Sequence, residues 1–186
     1  REIVVATTGA LERLSRHGGG VFAVAYRGYS GSTGTPSEAG FYRDANAAYA
    51  WVTQMIPASR VIVFGESIGT GVAVQIASEK NVRALVLDAP YSSTADVARH
   101  RYPWLPISIL MRDQFRSDLR APLIKAPVFI THCTGDRTIP LQFGEALAQL
   151  FKSPLQFHKI DAVCHPAPYD RFIGPMEQFI MRHNPA

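Results

Sequence analysis

Short apolar runs alternate along the chain with longer stretches in which apolar residues recur every three or four positions. Residues 2–6 form a strand-like run, and 10–16 have helical composition, halted by His17 and the glycines Gly18, Gly19 and Gly20. Residues 21–26 are the next strand, and 28–34, rich in Gly, Ser and Thr, form a loop. Ser37 caps a predicted helix over 38–55, with Phe41, Ala45, Ala48, Tyr49 and Val52 on one face. Strand 61–64 leads into helical sequence up to Ser78, and strand 83–87 follows. Prolines break the rhythm over 90–122. Beyond lie strand 127–132, helix 141–151, strand 155–160 and helix 169–181. Strands apolar on both faces belong in a parallel sheet covered by helices. The expected class is therefore α/β, with about six mostly parallel strands and helices on both faces.

Composition narrows the field. Of the 186 residues, 47% are hydrophobic and 18% charged, which excludes a disordered chain. Two cysteines exclude a disulfide-rich miniprotein. No apolar run approaches the ~20 residues of a membrane-spanning helix, so no span is expected. A chain of this length buries enough surface for one domain over residues 1–186. The net charge of +4 and the pI of 9.3 raise nucleic-acid binding as a question. Basic residues are scattered, however, with Arg99 and Arg101 the densest group, and no nucleic-acid partner is expected. The first residue is Arg1, and no signal-peptide pattern follows it, so the start is read as processed or as part of a longer chain.

The chemical signal is Gly65-Glu66-Ser67-Ile68-Gly69, set between an apolar strand and a helix. In the G-x-S-x-G pattern a sharp strand-to-helix turn lifts the serine hydroxyl above the sheet edge, and the glycines make room for that turn. The backbone N–H of Ile68 would then be free to donate to an oxyanion at the helix N-terminus. A serine hydroxyl needs a base. Chain order supplies candidates, since nucleophile, acid and histidine follow in that sequence in this pattern. Asp136 follows strand 127–132, and His165 follows strand 155–160. Both positions lie past strand C-termini, where parallel sheets place their sites. Asp136 is thus the expected orienting acid and His165 the general base, with Asp136 as a plain turn residue and Asp88 as the acid both left open. Asp161 reads as structural and His132 as packing or support around the site. No close His, Cys and Asp spacing resembles a metal-ligand set, and no metal or organic cofactor is expected.

These motifs resemble the α/β-hydrolase superfamily over nearly the whole chain. The run Tyr26-Arg27-Gly28-Tyr29-Ser30-Gly31-Ser32, then Pro36-Ser37-Glu38 with Asp44, is similar to the short-cap branch that includes esterases and protein-depalmitoylating thioesterases. The acid loop 134–140, with Asp136 ahead of Ile139 and Pro140, resembles that branch as well. The resemblance implies a carboxylesterase- or thioesterase-like serine hydrolase acting on a small-molecule or acylated substrate. A related peptidase or amidase, and a binding protein with an impaired oxyanion hole, are the alternatives. Two departures stand out. The family's His-Gly pair after the strand 2–6 is replaced by Thr7-Thr8-Gly9, so the second oxyanion donor falls to Thr7 or Thr8. One such donor is worth about 3–4 kcal/mol in the transition state. The family's first two strands have no counterpart before Arg1, which would leave strand 21–26 as a long apolar sheet edge. A missing segment, a partner subunit or an altered local fold is expected to cover it. Residues 92–120 would form a small cap in which Tyr102, Trp104 and Leu105 meet substrate, or pack the cap onto the sheet. The family also sets the strands before Cys133 and Cys164 side by side. A disulfide between the two cysteines stays open, and in a chain read as cytoplasmic free thiols are the favoured expectation.

Overall fold

The computed structural model describes residues 3–6, 20–29 and 31–183. Helix 10–16 and the candidate oxyanion donors Thr7 and Thr8 lie outside the described residues. The described strands are β1 (Ile3–Ala6), β2 (Gly20–Ala23), β3 (Val61–Glu66), β4 (Ala84–Asp88), β5 (Val128–Cys133) and β6 (Leu155–Ile160). They form one parallel sheet in the order β2-β1-β3-β4-β5-β6. The described helices are α1 (Glu38–Met55), α2 (Ile68–Glu79), α3 (Thr94–Arg101), α4 (Ile107–Leu110), α5 (Ser117–Arg120), α6 (Leu141–Ala148) and α7 (Tyr169–Arg182).

Burial explains the sheet. β4 and β5 are buried at every position, and β3 at all but its last. Successive residues on these strands enter two separate cores, as the two-residue period of a strand requires. Val61, Val63, Leu85, Leu87, Val128 and Ile130 join a core completed by Phe41 and Val52 of α1 and Val72 and Ile76 of α2. Ile62, Phe64, Ala84, Val86 and Phe129 join the other, completed by Phe172, Met176, Phe179 and Ile180 of α7. Helices on both faces thus cover the central strands β3, β4 and β5.

Local signals set the helices. Ser37 accepts the Gly40 N–H at 3.1 Å, Glu38 occupies the first turn, and Phe41, Ala45, Ala48 and Val52 form the buried stripe of α1. Tyr49, expected on that stripe, is half-buried and donates its hydroxyl to the Asn81 carbonyl at 2.6 Å.

β2 stands at one end of the described sheet, yet its strand is shorter than the sequence suggests. It ends at Ala23, and residues 24–26 leave the ladder. Tyr26 instead stacks on Phe41 with ring centroids 4.8 Å apart, and Phe22 packs on Trp51 at 4.8 Å. A short edge strand presents fewer unpaired backbone groups to other chains. Among the described residues no helix is long and apolar enough to cross a membrane.

Candidate active site

Ser67 occupies the turn between β3 and α2 at φ 51° and ψ −121°, a region that side-chain-bearing residues rarely adopt. Three contacts hold it there. The Ser67 N–H donates to the Asp88 carbonyl at 2.9 Å, and its own carbonyl accepts the Thr70 N–H at 3.0 Å and the Thr70 hydroxyl at 2.6 Å. Gly65 is required by close approach. A Cβ at this position would lie 2.6 Å from the Gly69 carbonyl oxygen and 2.7 Å from the Ala73 Cβ. The N–H of Ile68, in the first turn of α2, is among those with no partner inside the helix.

The hydroxyl of Ser67 lies 2.8 Å from His165 Nε2, and His165 Nδ1 lies 2.7 Å from Asp136 Oδ2. The other carboxylate oxygen of Asp136 accepts the N–H groups of Thr138 and Ile139 at 2.8 and 2.9 Å. Burial alone would raise the Asp136 pKa. Hydrogen bonds from His165 and from these two N–H groups, with His132 nearby, outweigh it and hold the carboxyl well below its usual range. His132, fully buried, donates from Nε2 to the Ile139 carbonyl at 2.8 Å, and the same nitrogen is 3.5 Å from Asp136 Oδ2. The shorter contact fixes the ring, and the longer one places a polar edge beside the acid. A Cβ on Gly144 of α6 would collide with His132 Nδ1, so this glycine makes room for the ring.

Three attachments fasten the segment that carries His165, each to the last residue of a different strand. Cys133, ending β5, is disulfide-bonded to Cys164, with Cα atoms 5.7 Å apart. Asp88, ending β4, accepts the Ala167 N–H at 3.0 Å. Glu66, ending β3, accepts the Tyr169 hydroxyl. The bridge corrects the expectation of free thiols. β5 and β6 are neighbours in register, Cys133 opposite Ile160, and the chain turns back after β6 to bring Cys164 within bonding reach. Asp88 is not the partner of His165. Its Oδ2 serves the base loop, while Oδ1 is buried without a hydrogen-bond partner among the described residues. Burial, with the nearby Glu66 and Asp136 carboxylates adding to it, pushes the Asp88 pKa up to about 8 despite the opposing pull of the Ala167 N–H. Burial also raises that of Glu66. The sequence signal for this fastening was a carboxylate ending an otherwise apolar strand.

A cavity of about 750 Å³ opens beside Ser67. Ile68, Val97 and Ile139 give it apolar walls, Arg101 and Arg137 give it positive charge, and Tyr102 lines it. Trp104 and Leu105 do not line it. They stand 74% and 41% exposed, with the Trp104 ring edge-on to Tyr102. These two, expected to meet substrate, stand outside this cavity, whose lining from this segment ends at Tyr102. Among the described residues no group of three His, Cys, Asp or Glu side chains is placed to hold a metal.

The model of the alpha/beta hydrolase fold family matches residues 7–107, and the chain belongs to that family. Among curated proteins it is similar to human protein ABHD12B, 35% identical over 159 residues, which span 75% of this chain and 44% of that one. It is also similar to the zebrafish lysophosphatidylserine lipase ABHD12, 31% identical over 189 residues, covering 91% of this chain and 48% of the relative. The chain therefore spans about half the length of these relatives. Among solved structures, the acetyl xylan esterase 1 of Thermoanaerobacterium sp. JW/SL YS485 superposes over 100% of this chain and 75% of its own, with a TM-score of 0.74 at 18% identity. That likeness is one of fold.

Proposed function

We propose that the chain is a serine hydrolase that cleaves a carboxylic ester or thioester through an acyl-enzyme on Ser67. The observation that carries the reading is the unbroken line from the Ser67 hydroxyl through His165 to Asp136, open to a cavity at the serine end. Ser67 Oγ attacks the carbonyl carbon while His165 Nε2 takes its proton. Asp136 stays ionised, which its low pKa supports, and stabilises the imidazolium. The Ile68 N–H, with Thr7 or Thr8, donates to the oxyanion. As the tetrahedral adduct collapses, the C–O or C–S bond breaks, and His165 returns the proton to the departing alcohol or thiol. Water then attacks the acyl-enzyme, giving its proton to His165. The second collapse releases the carboxylic acid and returns that proton to Ser67 Oγ.

The family and the relative named as a lysophosphatidylserine lipase support ester chemistry. The cavity's apolar walls suit an acyl group, and Arg101 and Arg137 suit a polar part bearing negative charge. A fluorophosphonate probe followed by mass spectrometry tests the reading. An adduct on Ser67 of the folded protein, abolished in Ser67→Ala and His165→Ala, is the expected outcome, and an unlabelled Ser67 refutes it.

A further inference from the structure

Residues 99–112 of the cap turn their apolar side chains to solvent. Tyr102 is 46% exposed, Trp104 74%, Leu105 41%, Ile109 83% and Leu110 63%, while Ile107 alone among the large side chains here is buried and anchors the segment. Scattered exposed apolar residues need no explanation, but five within nine residues, two of them in ring contact, do.

Two features select the occupant. The first is charge. No Asp or Glu occurs between Asp96 and Asp113, a stretch that contains Arg99, Arg101 and Arg112. Arg99 pairs with Asp96 at 3.1 Å, and Arg101 and Arg112 have no carboxylate partner among the described residues. The second is the backbone. Pro103 and Pro106 carry no N–H. The N–H groups of Leu105, Ile107, Ile109, Leu110 and Met111 all bond to carbonyls within the segment, at 2.8 to 3.2 Å. Each backbone group satisfied within the segment lowers the cost of taking it out of water. Trp and Tyr beside aliphatic side chains, rimmed by arginine, is the composition of an interfacial contact.

We propose that the cap segment 99–112 docks on the surface of an anionic phospholipid bilayer, with Trp104, Ile109 and Leu110 entering the interface and Arg101 and Arg112 meeting lipid phosphates. Arg101 and Tyr102 also line the cavity beside Ser67, so the docked face adjoins the cavity mouth. An acylated molecule held in the bilayer reaches the cavity along this face without crossing bulk water.

The chain contains two tryptophans, and Trp51→Phe leaves Trp104 as the sole reporter. Vesicles of phosphatidylcholine with equimolar phosphatidylglycerol should shift its emission to the blue, brominated lipid should quench it, and the protein should co-sediment. Raising the salt to about 0.5 M should weaken binding. Ile109→Ser with Leu110→Ser should cut partitioning about ten-fold. Arg112→Gln should cut it about five-fold on anionic vesicles. These side chains are exposed, and far-UV circular dichroism confirms that each variant is folded. Ser67→Ala should bind vesicles as the parent does, so the outcome stands apart from the hydrolase reading. Absence of shift, quenching and co-sedimentation overturns the proposal. Equal binding to pure phosphatidylcholine overturns it too, as does a vesicle-free blue shift that grows with protein concentration, which assigns the patch to a second copy of the chain.

Discussion

Two regions of opposite construction meet at the cavity. On one side Ser67, Asp136 and His165 sit on loops leaving strands of the sheet, tied down by the disulfide, by buried carboxylates and by the Asp136 hydrogen bonds. On the other side the cap segment 99–112 stands in solvent on a single buried anchor, Ile107. A proton relay works over tenths of an ångström, so its groups must be held before substrate arrives. A surface that meets a partner needs side chains free of the core. The division assigns geometry to the sheet edge and contact to the cap, and substitutions on the two sides should differ in kind.

The largest effect is expected on the buried side. His165→Ala should lower kcat against a p-nitrophenyl ester by about 10⁴-fold or more, with the fold intact by circular dichroism. A loss below ten-fold would place the base elsewhere. Phe129→Ala removes a fully buried ring between the sheet and α7 and should cost about 3–5 kcal/mol in urea unfolding. Smaller and more diagnostic is Asp88. Its raised pKa means that the folded state keeps a proton which the unfolded chain has lost between about pH 4 and 8, so stability contributed by this site falls as pH rises through that window. Asp88→Asn keeps an acceptor for the Ala167 N–H and should flatten the fall, read as unfolding midpoints from pH 5 to 8. A variant that keeps the parental slope would move its cause to another group. The smallest effect belongs to the cap: Ile109→Ser should change stability by no more than about 0.5 kcal/mol in the same assay. A larger loss would show that the cap is structural and erase the contrast.

How far the sequence anticipates this molecule depends on what each feature rests on. Helix α1 and strand β6 occupy the residues that their local patterns indicate, because Ser37 and the apolar spacing mark the first, and Leu155, Phe157 and Ile160 after Ser153-Pro154 mark the second. That Ser67, Asp136 and His165 meet was legible from motif and chain order, since parallel strands deliver their following loops to one edge. Features that depend on side-chain packing were beyond reach. The early end of β2 follows from Tyr26 finding Phe41, and the bridge between Cys133 and Cys164 from the register of β5 against β6. Trp104, between two prolines, gave no indication of which way its ring would face. The attachment of Ala167 to Asp88 joins residues 79 positions apart and has no local signature beyond the charge at the end of an apolar strand.

The Cys133–Cys164 bridge also makes part of this chain a ring. The bonded residues are 31 positions apart, and the ring contains Asp136, all of α6 and β6, and stops one residue short of His165. A protease that cuts once anywhere over 134–163 opens the ring without releasing a fragment. Such a nicked molecule runs as a single species on a non-reducing gel and as two after reduction, and its acid and base loops stay joined by a covalent bond although the chain between them has been severed.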